Sequence, residues 1–179
     1  DGIKIVLYVG NFKWLQNREA VELLASEIWP KIKSKMANVK LWIVGPGVTP
    51  EISRLASPDI EVSGGIDDIR SAYNNADVLL APIKGPGGTR LKILEAMASG
   101  TPVVTTTVGI EGLDVIDGKH ALVKDTEEGL AQASIEVLEN KALANKLSKE
   151  AKELVREKYD WKVSAKVLDI IYRRLAGHE

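Results

Sequence analysis

Apolar, β-branched runs of strand length alternate with amphipathic windows along the chain up to residue 125. The predicted strands are 3–9, Val39–Val44, 60–62, 78–83, 102–106 and 121–123. The predicted helices are 16–35, 50–56, 66–75, 89–99 and Glu127–Glu139. Strands that alternate with crossover helices are typical of a parallel sheet. The pattern therefore predicts an α/β, Rossmann-like, doubly wound parallel sheet of about six strands with helices on both faces.

Most of the predicted strands stop at a glycine or at a glycine-rich loop, as at Gly10, Gly45, Gly64, Gly85 and Gly109. The next helix begins soon after each of these turns. In open α/β sheets, ligands bind at the carboxyl ends of the strands. We therefore expect the functional residues at this edge of the sheet.

The character of the chain changes after residue 125. Ala, Leu, Lys and Glu dominate 127–158, and an apolar-periodic stretch follows Asp160, a plausible N-cap. This pattern predicts extra C-terminal helices over about 127–176. The charged run 145–158 interleaves both signs, which indicates a solvated helix face. Because no repeat or low-complexity linker interrupts the sequence, residues 1–179 are predicted to form one domain.

Composition narrows the function classes. The 179 residues carry 24 Lys plus Arg against 25 Asp plus Glu, a net charge of −1, so nucleic acid is not an expected partner. The absence of Cys excludes a disulfide framework and Cys-based metal sites. Apolar stretches such as 78–83 are far shorter than a membrane helix. We expect a cytoplasmic protein, and the start at Asp1 suggests a fragment of a longer chain.

The segment 84–104 reads as strand, glycine loop, helix, turn and strand. Gly87 and Gly88 would let backbone N–H groups at a helix N-terminus approach an anion closely. Arg90 and Lys92 place cations where the helix dipole disfavours them unless an anion joins them. The alternative is an ordinary loop with both cations facing solvent. Neither a P-loop nor a dinucleotide fingerprint is present.

Glu95 lies in a helix that is apolar nearly all round and is therefore predicted to be buried. A buried carboxylate needs partners. A ligand hydroxyl is one candidate, and an ion pair with Lys92, three residues earlier, is the other.

Six blocks carry a resemblance to a known family: 8–10, 41–45, 64–69, 76–82, 87–104 and 109–113. Their order, and above all the stretch LEAMASGTPVV at 94–104, resembles the C-terminal, nucleotide-sugar-binding half of a retaining GT-B glycosyltransferase of the group 1, or family 4, type. The resemblance covers essentially the whole chain.

The resemblance implies roles for individual positions. Glu95 matches the Glu that bonds the ribose hydroxyls, the turn at Gly65 and Ile66 resembles the one that holds the base, and the loop 87–90 resembles the segment that binds the donor diphosphate. The implied donor-binding residues are Gly10, Gly65, Ile66, Gly87, Gly88, Thr89 and Glu95.

The chain departs from the family pattern at the phosphates and the donor sugar. Gly87 stands where the family has the first Glu of its pair, and Asn11 and Asn17 stand near positions that often carry Arg and Lys. Arg90 and Lys92 are the obvious replacement cations, and we predict that they act catalytically on the leaving diphosphate. For Lys13 and Arg18 we expect ordinary surface charge.

The implied activity is glycosyl transfer with retention from a UDP or GDP sugar, in bacterial or archaeal polysaccharide biosynthesis, without metal or cofactor. An N-terminal acceptor domain of the same protein, absent from this chain, would hold the acceptor and any peripheral membrane contact. The fragment alone would then be inactive.

Two other functions remain open. One is a non-catalytic nucleotide-binding or interaction module, supported by Gly87. The other is half of a nucleotide-sugar 2-epimerase, for which His120 and His178 match no expected catalytic position.

Overall fold

The computed structural model describes residues 2–85 and 90–160, and these form a six-stranded, all-parallel sheet. The strands are β1 Lys4–Val9, β2 Val39–Val44, β3 Ile60–Ser63, β4 Val78–Ala81, β5 Val103–Thr105 and β6 Leu122–Val123. Their spatial order is β3-β2-β1-β4-β5-β6, the order of a doubly wound sheet whose direction of growth reverses between β1 and β4. The predicted α/β, Rossmann-like fold is confirmed.

Helices connect the strands from β1 to β5 and continue the chain after β6, while a short 3-10 helix, Val108–Ile110, lies between β5 and β6. The α-helices are α1 Leu15–Leu23, α2 Trp29–Lys35, α3 Pro50–Ser53, α4 Ile69–Asn75, α5 Leu91–Ser99, α6 Glu127–Glu139 and α7 Lys141–Lys158. A π-helical stretch, Leu24–Ile28, joins α1 to α2, so the single predicted helix 16–35 is interrupted. Pro30, two residues after this stretch, has no N–H for an α-helical bond, which accounts for a wider turn at this point.

Alternate strand residues enter two separate cores. Val6 and Leu80 pack in one core with residues of α1, α2, α3 and α6. Leu7 and Leu79 pack on the other face with residues of α4, α5 and α7. Because successive side chains of a strand point to opposite faces, both faces of the sheet are covered, as predicted.

Capping side chains set where several helices begin. The carboxylate of Asp68 accepts a hydrogen bond from the backbone N–H of Arg70 (3.0 Å), and α4 therefore starts at Ile69. The predicted start at residue 66 is wrong, and Ile66 lies instead on the loop between β3 and α4. Thr126 caps α6 in the same way, through the N–H of Gly129 (3.1 Å).

The C-terminal part of the described chain is helical, as predicted. Helix α7 buries Leu147, Ala151 and Leu154 and exposes much of its charged surface, which confirms the solvated face. The predicted last helix follows Asp160, and its residues, from 161 on, lie outside the described part of the chain. Within residues 2–85 and 90–160, no helix is long and apolar enough to cross a bilayer.

Candidate functional site

A cavity of about 920 Å³ opens at the carboxyl edge of the sheet, around the turns that follow β1, β2 and β4. This is the position where doubly wound sheets bind ligands. Predicted site residues from three chain segments line it: Gly10, Gly65, Ile66, Arg90, Lys92 and Glu95. Gly87, Gly88 and Thr89 lie outside the described residues.

Two glycines bring the first two turns together. A Cβ atom on Gly45 would lie 1.7 Å from the carbonyl oxygen of Gly10, and Gly45 has a φ of +152°. The N–H of Gly10 donates to the carbonyl of Val44 at 3.0 Å, which joins the two turns. The cavity wall therefore needs glycine at position 45, which sequence reasoning did not single out.

Lys92 is held at the cavity by neutral groups. Its Nζ lies 2.7 Å from Oδ1 of Asn17, 3.2 Å from the hydroxyl of Tyr8 and 4.5 Å above the centre of the Tyr8 ring. Burial is the main reason why the pKa of Lys92 is lowered from its ordinary 10.5 to about 8. The charge of Arg90 contributes to this lowering, while Glu95 acts in the opposite direction. The ammonium is thus a cation with no anion in direct contact among the described residues.

Arg90 precedes α5 and is turned inward. Only 9% of its side chain is exposed, and its Nη2 lies 3.6 Å from Oε2 of Glu111, an exposed residue. The alternative in which Arg90 and Lys92 simply face solvent is therefore wrong. Both cations border the cavity.

Glu95 differs from the prediction. It is exposed, and so are Leu91 and Ala98 on the same side of α5, whereas the helix buries Ile93, Ala96 and Met97. Leu91 and Glu95 are exposed because that side of the helix borders the open cavity and solvent instead of the core.

The carboxylate of Glu95 accepts a hydrogen bond from the hydroxyl of Tyr73 at 2.9 Å, with the bond made to Oε2. Tyr73 is 1% exposed, and its burial, together with the neighbouring Glu95 charge, raises its pKa. The ion pair between Glu95 and Lys92, one of the two candidates for a partner of this carboxylate, is not formed, because the carboxylate oxygens and the ammonium nitrogen are more than 4.0 Å apart. Sequence reasoning missed Tyr73, because nothing in its spacing indicates this contact.

Asn11 and Asn17 both line the cavity. Nδ2 of Asn17 donates to the carbonyl of Asn11 at 2.8 Å. Arg18 instead donates to the carbonyls of Phe12 (2.8 Å) and Lys13 (3.1 Å), and Lys13 is exposed. Neither of these two cations lines the cavity, as expected.

Other polar residues lie elsewhere. His120 is 5% exposed, and its Nδ1 accepts the N–H of Ile116 at 3.0 Å, which is a structural role. Trp14, 64% exposed, lies at the cavity and was not predicted. Among the described residues, no group of three or more His, Asp or Glu is placed to hold a metal ion.

Comparisons with known proteins agree with the fold. The family described as "Glycosyl transferases group 1" matches residues 3–140. The phosphatidyl-myo-inositol mannosyltransferase of Mycobacterium tuberculosis is 31% identical over 186 residues, which cover 97% of this chain and 48% of the relative. The chain thus spans about half the length of this curated relative.

Two solved structures share the fold over almost the whole of this chain and about half of their own chains. Sucrose-phosphate synthase from Thermosynechococcus elongatus has a TM-score of 0.78 at 26% identity, over 99% of this chain and 46% of that one. HepE from Anabaena has a TM-score of 0.74 at 17% identity, over 96% and 48%. The family match and the similarity to the mannosyltransferase together show that this chain belongs to the group 1 glycosyl transferases.

Proposed function

We propose that this chain is the donor-binding part of a retaining glycosyltransferase and that its cavity binds a nucleoside-diphosphate sugar. The observation that carries the proposal is Lys92, a partly buried ammonium with only neutral direct partners, beside the inward-turned guanidinium of Arg90. Taking an ammonium out of water is unfavourable without a compensating anion. A bound diphosphate supplies that anion.

We propose that the same two cations also contribute to catalysis. Breaking the bond between the sugar and the nucleoside diphosphate builds negative charge on the departing phosphate. Fixed cations at the leaving group stabilise this charge more strongly in the transition state than in the ground state. Arg90 and Lys92 are the catalytic residues of this proposal, and Gly87, Gly88 and Thr89 are assigned to the same phosphates on the sequence motif alone.

The remaining lining residues are assigned to the nucleoside. Glu95, with an acceptor oxygen on the cavity side of α5, takes the ribose hydroxyls, and the turn at Gly65 and Ile66 takes the base. Gly10 lines the same cavity just beyond β1, where a Cβ atom would lie 3.0 Å from Cγ of Asn17, and we assign it to the donor as well. Because Ile66 lies on a loop and not in α4, backbone groups of this turn are available to a base edge.

The names of related proteins support the substrate class. The HepE structure holds UDP and glucose, and a TarM structure from S. aureus holds UDP. The mycobacterial relative is named a mannosyltransferase. A uridine or guanosine diphosphate sugar is therefore the donor we propose.

The experiment that tests the proposal is calorimetric titration of this chain with UDP, GDP, ADP and TDP, with the parent nucleosides as controls. At least one diphosphate should bind, and its nucleoside should bind much more weakly. The Lys92→Met substitution should lower the affinity for the diphosphate about tenfold or more, as expected for a lost charge-assisted hydrogen bond. The matched control is Lys119→Met, which removes an exposed lysine paired with Glu150. No heat with any diphosphate, in a folded sample, would overturn the proposal.

Transfer itself is tested in the longer protein, where we propose that an N-terminal domain holds the acceptor. Arg90→Met and Glu95→Gln should abolish transfer, whereas Arg70→Met, which affects an exposed Arg paired with Asp68, should not. NMR of the product should show the anomeric configuration of the donor. Unchanged turnover in both cavity variants would favour a non-catalytic module.

A further inference from the structure

Tyr73 is a buried residue of α4 whose hydroxyl donates a hydrogen bond to Glu95 of α5. Its side chain is 1% exposed and packs in the core between the sheet and helices α4, α5 and α7. Its backbone carbonyl accepts a hydrogen bond from the hydroxyl of Thr101 at 2.8 Å, just beyond α5. The hydroxyl group therefore occupies one fixed position.

That fixed hydroxyl meets an otherwise mobile side chain. Glu95 is exposed, and an exposed glutamate on a helix samples several rotamers. The 2.9 Å bond from Tyr73 to Oε2 selects the rotamer in which the carboxylate borders the cavity. Oε1 and the second lone pair of Oε2 stay available to a ligand. Preorganisation of this kind raises affinity because less freedom is lost on binding.

The chemistry of the carboxylate restricts what it can bind. Glu95 is the one acidic side chain on the cavity among the residues that the structure describes, and an ionised carboxylate only accepts hydrogen bonds. Phosphate groups at neutral pH offer no donor and repel it. The hydroxyl donors of a nucleotide lie on its ribose, where the neighbouring 2′ and 3′ groups can both bond to one carboxylate.

We propose that Tyr73 is a positioning residue that fixes Glu95 for the ribose diol, and that its hydroxyl sets the preference of the cavity for ribonucleotides over 2′-deoxyribonucleotides. The inference rests on the proposed function. Tyr8 holds the corresponding position at the phosphate end, where its hydroxyl contacts Lys92 at 3.2 Å. One buried tyrosine thus orients each charged residue of α5.

The test measures the affinities of UDP and 2′-deoxy-UDP, and of GDP and 2′-deoxy-GDP, for the wild type, Tyr73→Phe and Glu95→Gln. The wild type should prefer the ribonucleotide by about tenfold, the value of a hydrogen bond to a charged group. Tyr73→Phe should lose most of this ratio, because it weakens the ribonucleotide, which bonds through two hydroxyls, more than the deoxynucleotide, which keeps only the 3′ hydroxyl. Tyr159→Phe, which removes a hydroxyl that accepts the N–H of Asp114, is the matched control.

The ratio separates positioning from general damage to the fold. A Tyr73→Phe protein that weakens both nucleotides equally, or keeps the wild-type ratio, overturns the inference and leaves the proposed function standing. If Glu95→Gln lowers the affinities for the ribonucleotide and the deoxynucleotide equally, the carboxylate contacts the base instead of the ribose, and this result also overturns the inference. Absence of binding by every nucleotide to the wild type overturns the inference together with the proposed function.

Discussion

Removal of the charge on Lys92 should change how the stability of the protein depends on pH. Burial lowers the pKa of Lys92 from 10.5 to about 8 in the folded protein, so the unfolded chain binds more protons between these two values. The free energy of unfolding therefore rises with pH across this window, because the cost of the charged form disappears as the folded lysine loses its proton.

The magnitude follows from the two pKa values. Their difference corresponds to about 3 kcal/mol of destabilisation at pH 7. About 2 kcal/mol of this is recovered between pH 7 and pH 9.5. The tyrosines Tyr8 and Tyr73, whose pKa values are raised by burial, act in the opposite direction only above about pH 10. Measurements up to pH 9.5 thus isolate the lysine.

Urea unfolding of the wild type, Lys92→Met and Lys119→Met at pH 7 and pH 9.5 measures the effect. Between the two pH values, the wild type and the Lys119 control should gain about 2 kcal/mol more than Lys92→Met does. The neutral side chain has no proton to lose, so its own curve should be flatter. Equal changes in all three proteins would refute the burial of a charged Lys92, and with it the argument for a diphosphate partner.

Three further outcomes are expected. The affinity for the nucleoside diphosphate should fall above pH 8 by up to about tenfold per pH unit in the wild type and stay flat in Lys92→Met, measured by calorimetry across pH 7 to 9.5; a flat wild-type profile would contradict this. EDTA should leave diphosphate binding unchanged, because we propose that Arg90 and Lys92 neutralise the phosphates; loss of binding that Mg²⁺ restores would contradict it. Gly45→Ala should cost about 3 kcal/mol or more in urea unfolding, since its Cβ would meet the Gly10 carbonyl, whereas Gly64→Ala, with open space around it, should stay near the wild type.

The sheet could be predicted because β-branched runs and glycine turns are local signals. All six predicted strands are present, within one or two residues at their ends. The helix boundaries depend on capping side chains and on proline, which hydrophobic periodicity does not reveal. The Asp68 cap moved the start of α4 away from Ile66, and the π-helical stretch before Pro30 divided the first predicted helix.

The sequence predicted several of the residues that line the cavity, but it did not predict their hydrogen-bond partners. The motif placed Arg90, Lys92 and Glu95 at one edge of the sheet, where they are found. Their partners are tertiary: Tyr8 and Asn17 lie 84 and 75 positions away from Lys92 in sequence. Periodicity along a helix or strand relates residues that are close in sequence, so it cannot predict such contacts.

The wrong prediction for Glu95 has a physical cause. Leucine and alanine around it suggested burial on every side, yet α5 lies over the sheet at the rim of a cavity and buries only one face. An apolar helix at such a rim can expose Leu91 and a carboxylate together.

The central claim is that the cavity at the carboxyl edge of the sheet binds a nucleoside diphosphate through Arg90 and Lys92. A crystal structure of this chain with the nucleoside diphosphate that binds it tests that claim most directly. The account predicts phosphate oxygens within about 3 Å of the Lys92 ammonium and close to the Arg90 guanidinium, with the ribose at Glu95. A nucleotide bound elsewhere, or phosphates in the cavity that contact neither cation, would contradict it.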